Sequence, residues 1–219
     1  MSTIVINPGH GLNKNNKYSR PLINTNNSKI EILNDMKPSP KDSLPGYYRE
    51  DLGTLILAKE IREELKNKHT ILLTREDERN SALWLGKDCS NKWKKTFWSQ
   101  SKWITDFTNR NNADIFISLH TNAGRGTGCV SFWESAPNGI IFSEMLTRSI
   151  HEQTGLPVRK IDKHRYSVLR NNCKGSSILL EALFHDDIDD IQFMINDEKR
   201  KILVKAISQG IDNYSQTIQ

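Results

Sequence analysis

Four short apolar runs constrain this chain more than any other feature. They are Thr3 to Asn7 (TIVIN), Thr70 to Thr74 (TILLT), Ala113 to Leu119 (ADIFISL) and Ser176 to Leu183 (SSILLEAL), with a shorter run at Val130 to Trp133. Runs of this length and β-branched content read as buried strands. The stretches between them have helical spacing. Glu50 opens a segment in which Leu52, Leu55, Ile56, Ile61 and Leu65 line one side. Trp93, Phe97, Ile104 and Phe107 share a face of a second helix, Phe142 to Gln153 predicts a third, and about Glu198 to Tyr214 a closing one. Strands alternating with helices predict an α/β sandwich with a largely parallel sheet, in which functional groups gather at the carboxyl ends of strands.

With 219 residues, the chain reads as one domain over 1–219. Two segments interrupt it: a polar insertion at about 12–48, with one strand expected near Ile30 to Leu33, and a Trp-rich insertion at about 79–103. A hydrophobic share of 36% and a charged share of 26% describe a globular chain with a wet surface, and no run is long enough for a membrane span. The start, MSTIVINPGHG, lacks the features of a secretory signal. The net charge of +5 fits an acidic polymer such as cell wall or nucleic acid. No nucleic-acid motif accompanies it, and most of the charge is interleaved with acids, as in Asp197 to Lys201. Cys89, Cys129 and Cys173 are widely spaced and read as ordinary thiols.

His10 and His120 both fall at carboxyl ends of predicted strands, and Glu50 opens a helix. Two imidazoles and a carboxylate, with a position left for water, meet the specification of a catalytic zinc site. Each has a simpler explanation alone; a first-turn glutamate is favoured by the helix dipole. Glu181 differs, because it interrupts the core strand Ile178 to Leu183. A carboxylate there must be paired, hydrogen-bonded, metal-associated or protonated, since burying the bare charge costs several kcal/mol, about 3 or more.

Six blocks then occur in order: INPGHG (Ile6 to Gly11), EDLGTLILAKEI (Glu50 to Ile61), LLTREDE (Leu72 to Glu78), ADIFISLHTNA (Ala113 to Ala123), VLRNNCKGSSILLEALF (Val168 to Phe184) and AISQGIDNY (Ala206 to Tyr214). On these the chain resembles the zinc-dependent N-acetylmuramoyl-L-alanine amidases, the cell-wall hydrolases of phage endolysins and bacterial autolysins. The resemblance implies a three-layer α/β fold with a twisted, mostly parallel six-stranded sheet flanked by helices. It also implies Zn²⁺ on His10, Glu50 and His120, with Glu181 as the catalytic base, and peptidoglycan as the partner. Both insertions depart from the family pattern: the length of the first keeps Asp51 and Asp42 as substitutes for Glu50, and the second keeps substrate preference from being carried over. Asn122 and Arg75 are candidate substrate contacts, with turn and structural duties as their alternatives. Trp84, Trp93 and Trp98 are candidates for a sugar platform, with helix packing as the alternative. His69, His151, His164 and His185 are assigned to the surface or to positions just behind the site.

Three settings fit such an enzyme: release through a phage-made membrane hole, which is preferred, lysis from within a mother cell, or injection as an antibacterial toxin with an immunity protein as partner. A monomer without nucleic-acid partners is expected. Competing functions are a zinc peptidase acting on the stem peptide and a catalytically silent wall-binding or nucleic-acid-binding module.

Overall fold

A computed structural model describes residues 1–11, 22–24, 31–33, 47–79, 81, 93–134, 138–170 and 175–218. Every apolar run of the sequence forms a strand: β1 (Thr3–Pro8), β5 (Thr70–Leu73), β6 (Ile115–Asn122), β7 (Cys129–Trp133) and β9 (Ser176–Phe184). The polar insertion contributes β2 (Leu22–Asn24), β3 (Glu31–Leu33) and β4 (Tyr47–Tyr48), and β8 (Val158–Lys163) completes the set. The helices are α1 (Glu50–Leu65), α2 (Trp93–Arg110), α3 (Asn138–Thr154), the single turn α4 (Gln192–Ile195) and α5 (Asp197–Thr217).

The main sheet has six strands in the order β5-β1-β6-β9-β7-β8. From β5 through β9 neighbouring strands are parallel, whereas β7 runs antiparallel to β9 and β8 follows β7. Strand β8, VRKIDK, was not foreseen. It lies at the sheet edge, where charged side chains deter pairing with other chains and no buried face imprints a pattern. A separate antiparallel sheet, β3-β2-β4, lies in the polar insertion, where one strand was expected near Ile30 to Leu33.

Period-two alternation splits the side chains of the main sheet between two cores. On one face Ile4, Ile6, Ile115, Ile117, Ile178 and Leu180 pack with Leu57 and Ile61 of α1, Phe142 and Leu146 of α3, and Ile207 and Ile211 of α5. Each fully buried side chain of this kind contributes roughly 1.5–3 kcal/mol. Helices α3 and α5 approach closely at Gly210, where a Cβ would stand 2.8 Å from the Leu146 side chain. The opposite face carries a smaller core of Val5, Phe116, Leu179, Ile104 and Leu169, against which Phe107 packs. Ile104 and Phe107 are thus the inward residues of α2, as their spacing required; the side chains of Trp93 and Trp98, and all of Trp84, lie outside the described residues.

Capping follows sequence. Asn196 accepts a hydrogen bond from the Lys199 amide at 3.0 Å, and Asp197 and Glu198 occupy the first turn of α5, where negative charge suits the helix dipole. His69 corrects its assignment to the surface or the surroundings of the site. It is buried with a ring nitrogen 3.1 Å from Asp212 of α5, on the residue that leads into β5. Cys129 is a buried free thiol whose pKa burial pushes up to about 12, in keeping with an ordinary cysteine; Cys89 and Cys173 lie outside the described residues.

Candidate metal centre

Strand β1 ends at Pro8, and the chain turns sharply over Gly9, His10 and Gly11. The Gly9 amide still bonds the Leu119 carbonyl at 2.8 Å, keeping the turn against β6. His10 has φ of 62° and Gly11 of 107°. A left-handed conformation costs a residue with a Cβ about 1–2 kcal/mol, so the backbone is strained at the residue whose ring reaches the site. Gly9 is required for a separate reason: a Cβ there would lie 2.4 Å from the His120 ring. We expect Gly9→Ala to push that ring aside and weaken any divalent-metal binding there roughly 10-fold or more, the scale seen when ligand orientation is lost. Competition with a chromophoric chelator measures it, and unchanged affinity would show that the ring has freedom to move.

Three donor atoms converge at the carboxyl edge of the sheet. His10 Nε2 lies 3.1 Å from Glu50 Oε1, and His120 Nδ1 lies 3.2 Å from each of the other two. Protons cannot satisfy this triangle, because a hydrogen on one atom points along a single edge and two donors facing each other repel. One cation serves all three lone pairs at once. Ligands held 2.0–2.1 Å from a tetrahedral zinc ion stand about 3.3 Å apart, close to the spacing of these donors. The residues therefore fit a divalent metal, and they form a His/Asp/Glu/Cys group of metal-binding geometry among the described residues. Burial pushes the Glu50 carboxyl up, but the His10 and His120 imidazoles outweigh it and hold the group well below the usual carboxylate range.

Glu50 earns its position from its surroundings. Its Oε1 accepts from the Thr121 amide at 3.1 Å, one residue past His120. Asp51, held in reserve as a substitute ligand, is instead clasped by Arg49 through bonds of 3.1 and 2.8 Å and is fully buried. Asp42 lies outside the described residues. Arg75 is also fully buried, and its guanidinium donates to the carbonyls of Pro8, Gly9, Asp51 and Asp77. It braces the turn carrying His10 against the first turn of α1, so the substrate-contact reading gives way to the structural one. Asn122 turns its Oδ1 to the amide of the next residue, Ala123, at 2.8 Å.

Glu181 occupies β9 in register with His120 of β6, so the two side chains leave the same face of the sheet on adjacent strands. It is the partly exposed member of a strand whose other residues are buried. Its charge reaches Tyr48 and Tyr166; burial first, and Glu181 among the nearby carboxylates, raise both phenols, Tyr48 strongly. Several residues that sequence reasoning missed support the rim. Tyr48 meets Thr121 Oγ1 at 3.2 Å, and so, at 2.8 Å, does His185, one of the histidines already assigned to the surface or to positions just behind the site. Behind His120 lie Ser118, Asn7, Thr74 and Ser81, which carry no signal in the sequence beyond being polar in or beside strands.

Three donors drawn from separate elements, with the two imidazoles partly open to solvent, leave room for a further ligand, which is the pattern of a catalytic rather than a closed structural metal site. A sequence profile of the N-acetylmuramoyl-L-alanine amidases matches residues 4–213, and the chain belongs to that family. No curated protein shows significant sequence similarity to it. Among solved structures, the CwlD amidase from Clostridioides difficile in complex with the GerS lipoprotein is 19% identical, with a TM-score of 0.72 and coverage of 99% of this chain and 100% of that one. The N-acetylmuramoyl-L-alanine amidase from Clostridium difficile 630 is 20% identical, with a TM-score of 0.70 and coverage of 98% and 97%. The catalytic domain of the CD27L endolysin targeting that organism is 18% identical, with a TM-score of 0.67 and coverage of 97% and 98%. These likenesses establish the shared fold.

Proposed function

We propose that this chain is a zinc-dependent hydrolase that cleaves the amide between N-acetylmuramic acid and L-alanine in peptidoglycan and thereby breaks down cell wall. The observation that carries the reading is the triangle of His10, Glu50 and His120 donors with Glu181 one strand away from His120. His10, Glu50 and His120 would hold the ion. When bound, it supplies Lewis acidity, which eases deprotonation of water near neutral pH and polarises a carbonyl. Glu181 takes a proton from the attacking water on a carboxylate oxygen and returns it to the departing L-alanine nitrogen. Water thus adds its oxygen to the lactyl carbonyl carbon, the C–N bond breaks, and a lactyl carboxylate and a free amine result. Thr121 keeps Glu50 aimed through its amide, and Tyr48, kept protonated by its burial, is available to donate to Thr121 Oγ1.

Digestion of purified sacculi tests the proposal. Mass spectrometry should find stem peptides with a free L-alanine terminus and glycan strands with bare lactyl carboxylates. Chelation should abolish release and zinc should restore it. Cuts confined to bonds within the stem would make the enzyme a peptidase instead.

A further inference from the structure

The His120 ring uses both nitrogens. Nδ1 faces His10 and Glu50, while Nε2 lies 3.2 Å from Ser118 Oγ. Ser118 stands two residues earlier on the same strand and therefore on the same face. Its hydroxyl also accepts from Asn7 Nδ2 at 2.9 Å, across the register pair that joins β1 to β6. Asn7 Oδ1 in turn accepts from Thr74 Oγ1 at 2.7 Å and from Ser81 Oγ at 3.0 Å. Thr74 and Ser81 lie 2.8 Å apart.

All four residues are buried, Asn7 at 4% exposure and the others at 0%. Polar groups withdrawn from water in this way cost stability unless each finds a partner, and apolar residues would fill the space without that risk. Here the partners form one chain that ends on the ring of a proposed ligand. A neutral imidazole carries one proton. For Nδ1 to offer a lone pair to a metal, that proton must sit on Nε2, and an acceptor must face it. Ser118 Oγ is in that place, and Asn7 fixes Ser118 from behind. Gly9 closes the other side of the ring.

We propose that Ser118 and Asn7, backed by Thr74 and Ser81, are positioning residues for the metal centre: they hold the Nε2–H tautomer and the ring angle of His120 so that Nδ1 is the ligating atom. The inference rests on the metal reading above.

The test compares wild type, Ser118→Ala, Ser118→Thr and Asn7→Leu, first as metal-free protein by circular dichroism and then in zinc titration against a chromophoric chelator. Nitrogen-15 spectra of the imidazole in the zinc-loaded protein report which ring nitrogen bears hydrogen. Ser118→Ala should bind zinc about 10–100-fold more weakly, the range for lost support of a ligand histidine, with an altered or exchange-broadened His120 signature. Asn7→Leu should act in the same direction. Ser118→Thr, which keeps the hydroxyl, should recover most of the affinity. A folded Ser118→Ala with wild-type affinity and an unchanged Nε2–H signature overturns the positioning role alone. Wild-type protein that takes up no zinc overturns this inference together with the metal reading.

Discussion

Under the proposed mechanism, Glu181→Gln should bind zinc as the wild type does yet turn over sacculi about 10²–10⁴-fold more slowly, the usual contribution of a positioned general base. The amide keeps the size of the carboxylate and removes only its basicity. No proposed metal-binding atom is lost, because the proposed donors belong to His10, Glu50 and His120. Stability should hold or rise, since a carboxyl group in an otherwise buried strand is maintained at a cost, and active sites commonly give up stability for function. Metal content by mass spectrometry, initial rates on sacculi and a thermal melt together separate these effects. Retention of about a tenth or more of wild-type turnover with metal bound would remove Glu181 from the role of base.

Glu181 was legible in the sequence because a charge within an apolar strand contradicts its own surroundings. His10 and His120 were legible for a related reason: each follows a run too apolar to be anything but a buried strand, and parallel sheets gather their chemistry at that edge. Glu50 was less so, since a first-turn glutamate has a local explanation; only the approach of Thr121 and the two rings gives it another. What stayed hidden depends on register. Asn7 and Ser118 are 111 residues apart, and nothing local marks them as partners. The antiparallel direction of β7 is likewise absent from its composition, because an apolar run does not encode which way it points. The edge strand β8 lacks a buried face, so its charges read as loop. In the polar insertion, strands of two or three residues are too short to carry a period.

Arg75 shows how a site can depend on a residue that sequence leaves open between a substrate contact and a structural duty. The arginine within LLTREDE, just past the strand run Thr70 to Thr74, is fully buried. Its Nε donates to Pro8 at 3.0 Å, one Nη to Gly9 at 3.0 Å and Asp51 at 2.6 Å, and the other to Asp77 at 2.8 Å. Two of those carbonyls belong to the turn before His10, and a third to the residue after Glu50. Arg75→Met keeps most of the apolar stem but leaves the Pro8 and Asp77 carbonyls without the fork, at about 1–3 kcal/mol for each that water cannot reach, while Gly9 and Asp51 share only the longer contact of the Thr54 hydroxyl at 3.3 Å. Some of that cost is offset by no longer burying a cation. We therefore expect a net loss of roughly 3–5 kcal/mol, seen as a melting temperature lower by about 6–20 °C for a chain of this size. Zinc affinity should fall with it, because the first turn of α1 and the β1 turn are no longer held at one spacing. Arg75→Lys should recover only part of both, since one ammonium cannot span carbonyls on three segments as a planar guanidinium does. Should the methionine variant melt within about 2 °C of wild type and bind zinc equally well, the two ligand-bearing segments must be held together by something other than this side chain.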